Sequence, residues 1–203
     1  MRIFMTGVSG YIGGSVAVAL VKAGHRVVGL VRQEDKARQL VLHGIEPLLG
    51  TLADLAKITE AARAADAVIN AANADDFLVA DTLLKALAES GKPLIHTSGT
   101  SVVSDRAAGE YSAAIFYEDS PFDPLPERLL RVAIDRAVLM GAQQKIRSVV
   151  IRPSLTYGKG HGLKPTSRSC GVSTGCIWSS PSPARGCCEA CWLPRGARSA
   201  VIT

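Results

Sequence analysis

A chain of 203 residues, 47% apolar and 20% charged, has the size and composition of one globular domain with room for a real core. Its formal charge of +5 is unevenly spread: residues 1–162 hold 18 Lys and Arg against 17 Asp and Glu, and residues 163–203 hold 5 against 1. The basic character therefore belongs to the C-terminal stretch, and no basic stripe with interleaved aromatics precedes residue 163, which argues against a nucleic-acid partner.

Residues 1–169 contain no cysteine, as suits a cytosolic protein. The N-terminus turns glycine-rich before any apolar run long enough for a signal peptide, and no run approaches the roughly 20 apolar residues of a membrane-spanning helix. The expectation is a soluble, cytoplasmic body without a membrane partner.

In chain order, the first apolar run, RIFMTG, leads through a glycine-rich loop into a helical segment over 11–23. RVVGLV precedes a helix over 34–43, IEPLLG one over 54–64, and DAVINAA one over 76–89. PLIHTSG is followed by a longer connection and a helix over 126–143, and RSVVIRP closes the series. In that last helix Leu129, Ala133 and Ala137, with Leu130, Ile134 and Val138, step by four and predict one apolar face. Six strands separated by helices imply an α/β fold: a Rossmann-like, doubly wound parallel sheet with helices on both faces. Ligands of such sheets bind outside the carboxyl ends of the strands.

The loop after the first strand places Gly7, Gly10 and Gly13 at the mouth of the first helix. Glycine at 7 permits a tight turn, at 10 it lets backbone N–H groups approach a pyrophosphate, and at 13 it lets helix and strand pack closely. The helix N-terminus adds partial positive charge where the phosphates would sit. The second strand ends GLVRQEDK. A dinucleotide site selecting NAD would place an acid there for the ribose hydroxyls; Arg32 stands there instead, with Lys36 one helical turn on. That pair favours NADP over NAD through bidentate contact with a 2′-phosphate, a solvated strand-end charge being the other reading of Arg32. Asp54 is expected to cap the third helix.

The spacing Thr-Gly-x-x-Gly-x-x-Gly resembles the short-chain dehydrogenase/reductase superfamily, in particular its extended and atypical branches, the NAD-dependent epimerase/dehydratase type. DAVINAAN is similar to that family's fourth strand, LIHTSGTSV to its fifth, and IRPSLTYGKG to its sixth strand and following loop. The resemblance covers residues 1–162. It implies an NAD(P)-binding domain acting by hydride transfer on a small-molecule substrate, a carbonyl or sugar-type compound. Tyr11, Ile12, Ala71, Ala72, Asn73 and Pro153 would join the three glycines around the cofactor, and Ser98 would stand at the family's catalytic serine position.

The family's tyrosine and its lysine four residues later are missing. Tyr11, Tyr111, Tyr117 and Tyr157 are followed at that distance by Ser15, Ile115, Pro121 and His161. Glu127 and Arg131 fall in the corresponding places, where they read as a helical surface ion pair. Ser98 and Thr100 remain candidates to hydrogen-bond a substrate carbonyl, or else form a plain turn. Tyr111 or Tyr117 stands as a replacement acid. Atypical members lacking the pair include altered reductases and isomerases and proteins that bind NADP without turnover, so a sensor or regulator is the alternative function.

No metal site is expected. His25, His43, His96 and His161 are dispersed, with His96 reading as a hydrogen-bonded core imidazole. The cysteines, at 170, 176, 187, 188 and 191, include one Cys-x-x-Cys without a second pair. Residues 163–203 lack strand or helix period and are rich in Ser, Pro, Gly, Arg, Cys and Trp. They read as an irregular tail, and an out-of-frame translation starting near 163–168 explains that composition better than zinc or disulfides do. The family's extended branch ordinarily continues well beyond this point into a substrate-binding lobe, whose loss would impair activity.

Overall fold

The computed structural model describes residues 1–106, 114–154 and 156. Strands β1 (Arg2–Thr6), β2 (Arg26–Val31), β3 (Glu46–Leu49), β4 (Ala67–Asn70), β5 (Pro93–Thr97) and β6 (Arg147–Ile151) are all present where the apolar runs place them. Between them lie α1 (Tyr11–Lys22), α2 (Glu34–Leu42), α3 (Leu55–Ala64), α4 (Phe77–Leu87) and α5 (Leu129–Met140). The strands form one parallel sheet in the order β3-β2-β1-β4-β5-β6. The order reverses between β1 and β4, which opens a crevice at their carboxyl ends.

The two-residue period of the strands divides the core between the sheet's faces. Ile3, Met5, Val27, Ala67 and Ile69 face α1 and α2, where Ala17, Ala37 and Leu40 are buried. Phe4, Val28, Val68, Leu94 and Val150 face the other way, onto Ile58 and Ala62 of α3, Leu83 and Leu87 of α4, and Ile134 and Val138 of α5. Burying a side chain such as Ile134 or Leu83 contributes about 2 kcal/mol each, so both faces hold the sheet flat against its helices.

Two local expectations need correction. The buried stripe of α5 is Val132, Ile134, Asp135 and Val138, whereas Leu129 and Leu130 are 54% and 53% exposed. Of the expected rows, Ile134 and Val138 are buried, and Asp135 shares their inner face in place of the leucines of the first turn. Asp54 does precede α3, but it makes no side-chain cap. Its Oδ2 accepts instead from the backbone N–H of Thr51 at 2.6 Å and the Thr51 hydroxyl at 3.1 Å, and those bonds hold its carboxyl below the usual range. At α4 the cap is real: Asp76 accepts from the Val79 N–H at 3.1 Å.

At the opposite, amino edge of the sheet, two non-glycine residues adopt left-handed backbone, Glu89 at φ 60° and Lys145 at φ 55°. They face each other: the Glu89 N–H donates to Gln144 O at 2.8 Å, the Gly91 N–H to Lys145 O at 3.0 Å, and the two side chains form an ion pair.

Candidate active site

The glycine loop is built by close approach of backbone to backbone. Gly7 has φ 67°, and a Cβ there would run into the backbone of Ala71 and Ala72; a Cβ on Gly13 would run into the Gly7 carbonyl. Positions 7, 13, 71 and 72 thus meet where β1 and β4 end. Gly10 is exposed and is the N-cap of α1, with no side-chain cap bond. A helix that begins without a capping side chain offers its first turn to an anion. Tyr11 and Ile12, half-buried, form that turn. Side chains at 7 and 13 would thus force this loop apart, and the bare α1 N-terminus that the loop presents fits a pyrophosphate.

Arg32 is exposed immediately after β2 and Lys36 lies half-buried in the first turn of α2. Neither makes a hydrogen bond or ion pair among the described residues. Asn73 is exposed and its Oδ1 accepts from the Asp75 N–H at 3.1 Å, so it shapes the loop after β4. Pro153 accepts through its carbonyl from the Thr100 N–H at 3.2 Å, joining the loops that follow β5 and β6.

A line of polar side chains crosses the carboxyl end of the sheet. The Thr6 hydroxyl donates to Asn70 Oδ1 at 2.5 Å, and both residues are buried. That bond leaves Asn70 Nδ2 to donate to His96 Nδ1 at 3.1 Å. Neutral His96 then carries its proton on Nε2, 3.9 Å from Asp135 Oδ1. Both of those atoms are buried without a hydrogen-bond partner among the described residues. Burial holds the His96 imidazole below its usual range, against the opposing pull of the Asp135 carboxylate. The other Asp135 oxygen accepts from the Ser98 hydroxyl at 3.0 Å and from Arg152 Nε at 2.9 Å. His96 is therefore the hydrogen-bonded core imidazole that its strand predicts, and Ser98 stands at the end of β5 with a partner on α5.

Glu127 and Arg131 do not pair with each other. Glu127 pairs with Arg106 at 3.2 Å on the surface, and a local backbone hydrogen bond, followed by the Arg106 charge, holds it below the usual carboxylate range. Arg131 turns across the crevice: its Nε and Nη2 clasp both oxygens of Asp75 at 2.8 and 2.5 Å, and Nη1 donates to the Ser101 hydroxyl at 3.1 Å. The expected surface pair fails because Arg131 lies on the inward side of α5, within reach of the β4–α4 loop. The guanidinium keeps the Asp75 carboxyl well below its ordinary value of 3.8. Thr100 opens a short 3-10 turn over Thr100–Val103. Tyr117 is 63% exposed. Tyr111, Tyr157, His161 and the five cysteines lie outside the described residues. Among those residues, no group of three metal-ligating side chains occurs and no helix is long and apolar enough to cross a membrane.

The sequence model of the NAD dependent epimerase/dehydratase family matches residues 3–177. The chain belongs to that family. Family membership makes NAD(P) the cofactor class, and the glycine cradle is consistent with it. An uncharacterised protein of Schizosaccharomyces pombe is 35% identical over 178 residues, covering 81% of this chain and 58% of that one. A 4-hydroxy-2-methyl-3-oxo-4-farnesyl-3,4-dihydroquinoline-1-oxide ketoreductase of Stigmatella aurantiaca is 30% identical over 175 residues, covering 78% and 51%. Vestitone reductase from alfalfa superimposes with a TM-score of 0.60 at 20% identity, covering 74% of this chain and 56% of that structure, which is a likeness of fold. The chain spans about half the length of the curated relatives it matches.

Within this epimerase/dehydratase frame, sequence reasoning missed Thr6, Asn70, Asp75, Asp135 and Arg152. Thr6 and Arg152 lie inside the Thr-Gly-x-x-Gly-x-x-Gly and IRPSLTYGKG stretches, and Asp135 is one charge set among the apolar steps of α5. The others look like ordinary strand ends and loop residues until the sheet order brings them together.

Proposed function

We propose that the folded body binds NADP and transfers hydride between it and a small carbonyl or alcohol, with sugar-type compounds among the candidates. The observation that carries the cofactor choice is Arg32: an exposed, unpaired guanidinium at the end of β2, with Lys36 beside it, and no acid at that strand end. Bound NADP supplies the hydride-carrying carbon. The chain's own residues would hold it: the Gly7–Gly13 loop and the α1 N-terminus would take the pyrophosphate, and Arg32 would bind the 2′-phosphate. Ser98 and Thr100 are then the hydroxyls nearest the reacting end, at the carboxyl edge of β5.

Fluorescence titration with NADPH and NADH tests this. NADPH should bind about tenfold or more tightly than NADH, since one charge-assisted contact contributes about 1.5–3 kcal/mol, and Arg32→Ala should erase the difference. Equal affinities in the unaltered protein would remove the assignment. A cytoplasmic location accompanies this reading. A second reading, a non-catalytic NADP-binding regulator, draws support from Glu127 and Arg131 standing where a tyrosine and lysine would act, both committed to other partners. NADPH consumption with a panel of aldehydes and ketones separates the two. Residues 163–203 are part of the same proposal as an out-of-frame stretch: restoring one base in the coding DNA near codon 165 should yield strand and helix periods.

A further inference from the structure

The clasp on Ser98 bears on the missing acid–base group. A serine hydroxyl has one proton and two lone pairs. Here the proton is given to Asp135 Oδ2 at 3.0 Å, so what Ser98 has left to offer a ligand is acceptor capacity. Its partner is a buried carboxylate with one oxygen still unpartnered, 3.9 Å from His96 Nε2. A purely structural pairing with Arg152 does not need Ser98, yet Ser98 and Arg152 share the same carboxylate oxygen, Oδ2.

We propose that Asp135 serves as the proton acceptor for Ser98, so that the two side chains form the relay that replaces the absent tyrosine. This rests on the hydride-transfer reading above. In the oxidative direction an alcohol O–H gives its proton to Ser98 Oγ while the Ser98 proton passes to Asp135 Oδ2. The carbon-bound hydrogen leaves with its electron pair for oxidised nicotinamide dinucleotide, and the alcohol becomes a carbonyl. Asp135 is then a neutral carboxylic acid, and it regains its charge by returning the proton through Ser98 to water after product leaves. Reduction runs the same steps backwards. Arg152 Nε, 2.9 Å from the accepting oxygen, keeps that carboxylate aimed at Ser98. Asp135 is a positioning residue acting through Ser98, and Ser98 is the catalytic residue. The charged and titratable groups facing Asp135 are His96 on β5, Arg152 after β6 and Arg131 one turn earlier on its own helix.

The test uses the full chain with NADP+ and a panel of secondary alcohols, and it has two readouts besides turnover. Nucleotide binding is followed by fluorescence, and the Asp135 carboxyl resonance is observed at fixed pH by 13C NMR in aspartate-labelled protein. Ser98→Ala should leave nucleotide affinity unchanged and lower kcat by roughly 100-fold, the scale of a lost proton transfer. The same variant should move the Asp135 carboxyl resonance, because its carboxylate loses a donor. Asp135→Glu should keep a pH-dependent limb in kcat at a shifted midpoint, while Asp135→Asn should lose that limb. Ser98→Ala is the variant least able to disturb folding, since its hydroxyl is only half-buried. Wild-type kcat and pH profile in Ser98→Ala would overturn the relay, as would an unmoved Asp135 carboxyl resonance or nucleotide-loaded wild type that oxidises no alcohol. In each of those cases intact NADP+ binding leaves the cofactor reading standing; failure to bind NADP+ sinks both together.

Discussion

Two regions at the same edge of one sheet are made of different materials. The Gly7–Gly13 loop is backbone: its shape comes from the absence of side chains and from carbonyls and amides that approach within contact. The cluster around Asp135 is side chain: six residues, Thr6, Asn70, His96, Ser98, Asp135 and Arg152, from β1, β4, β5, α5 and the loops after β5 and β6, meet through carboxylate, hydroxyl, amide, imidazole and guanidinium groups. A backbone site is written in consecutive residues and tolerates change elsewhere. A side-chain site exists only once the strand order is in place, and each member depends on the others.

The contrast can be broken most forcefully at Asp135. Asp135→Ala leaves Arg152 and the Ser98 hydroxyl without their buried acceptor and should cost about 4 kcal/mol of stability, as for other broken buried pairs. Urea unfolding would show it, and a loss under about 1 kcal/mol would mean that the cluster is not a unit. Gly13→Ala comes next. Its Cβ would overlap the Gly7 carbonyl, so the loop must open, at roughly 2–3 kcal/mol with loss of nucleotide binding. Gly10→Ala is the control, since its Cβ would meet only the Gly7 carbonyl oxygen at 3.2 Å, and it should change stability by less than about 1 kcal/mol. Equal effects at 10 and 13 would dissolve the account of the loop.

The smaller effects lie in pH. His96 has a folded value below its ordinary 6.5, so the unfolded chain binds a proton more readily as pH falls through that value. Stability should be full above pH 6.5 and decline below it, and His96→Gln should flatten that decline in thermal melts taken across the range. Asp75, depressed below 3.8 by Arg131, stabilises the fold above that value. Its contribution should vanish only as pH falls through the lower, folded midpoint. Asp75 is partly exposed, so Asp75→Asn should lower stability only weakly and evenly above that value, and should remove this last acid limb. A large effect of Asp75→Asn at neutral pH would show that the Arg131 clasp matters more than solvent screening allows.

Much of this was legible in the sequence, for a physical reason. Strand and helix periods are local, so the six strands, the five helices and the sheet class could be read from runs such as RVVGLV and DAVINAA. The glycine spacing is equally local, and Arg32 is informative because it stands beside a strand end. Arg131 shows where local reading stops. Its neighbours at four-residue steps, Glu127 and Asp135, suggest ordinary helix-surface pairing, yet the structure sends Arg131 to Asp75 and Asp135 to Ser98 and Arg152. Those partners lie 56, 37 and 17 residues away. Helix rotation decides which of them meet, and that is set by the whole core.

The left-handed residues Glu89 and Lys145 have a practical consequence. Side chains in that conformation cost roughly 1–2 kcal/mol each relative to glycine, and both sit at the sheet edge remote from the glycine loop and Ser98. They amount to an untapped margin for engineering. Glycine at either position would relax the turn, offset in part by the lost ion pair and by a more flexible unfolded chain. A sturdier scaffold could be obtained there, and the more demanding substitutions around Asp135 could then be carried on it without collapse.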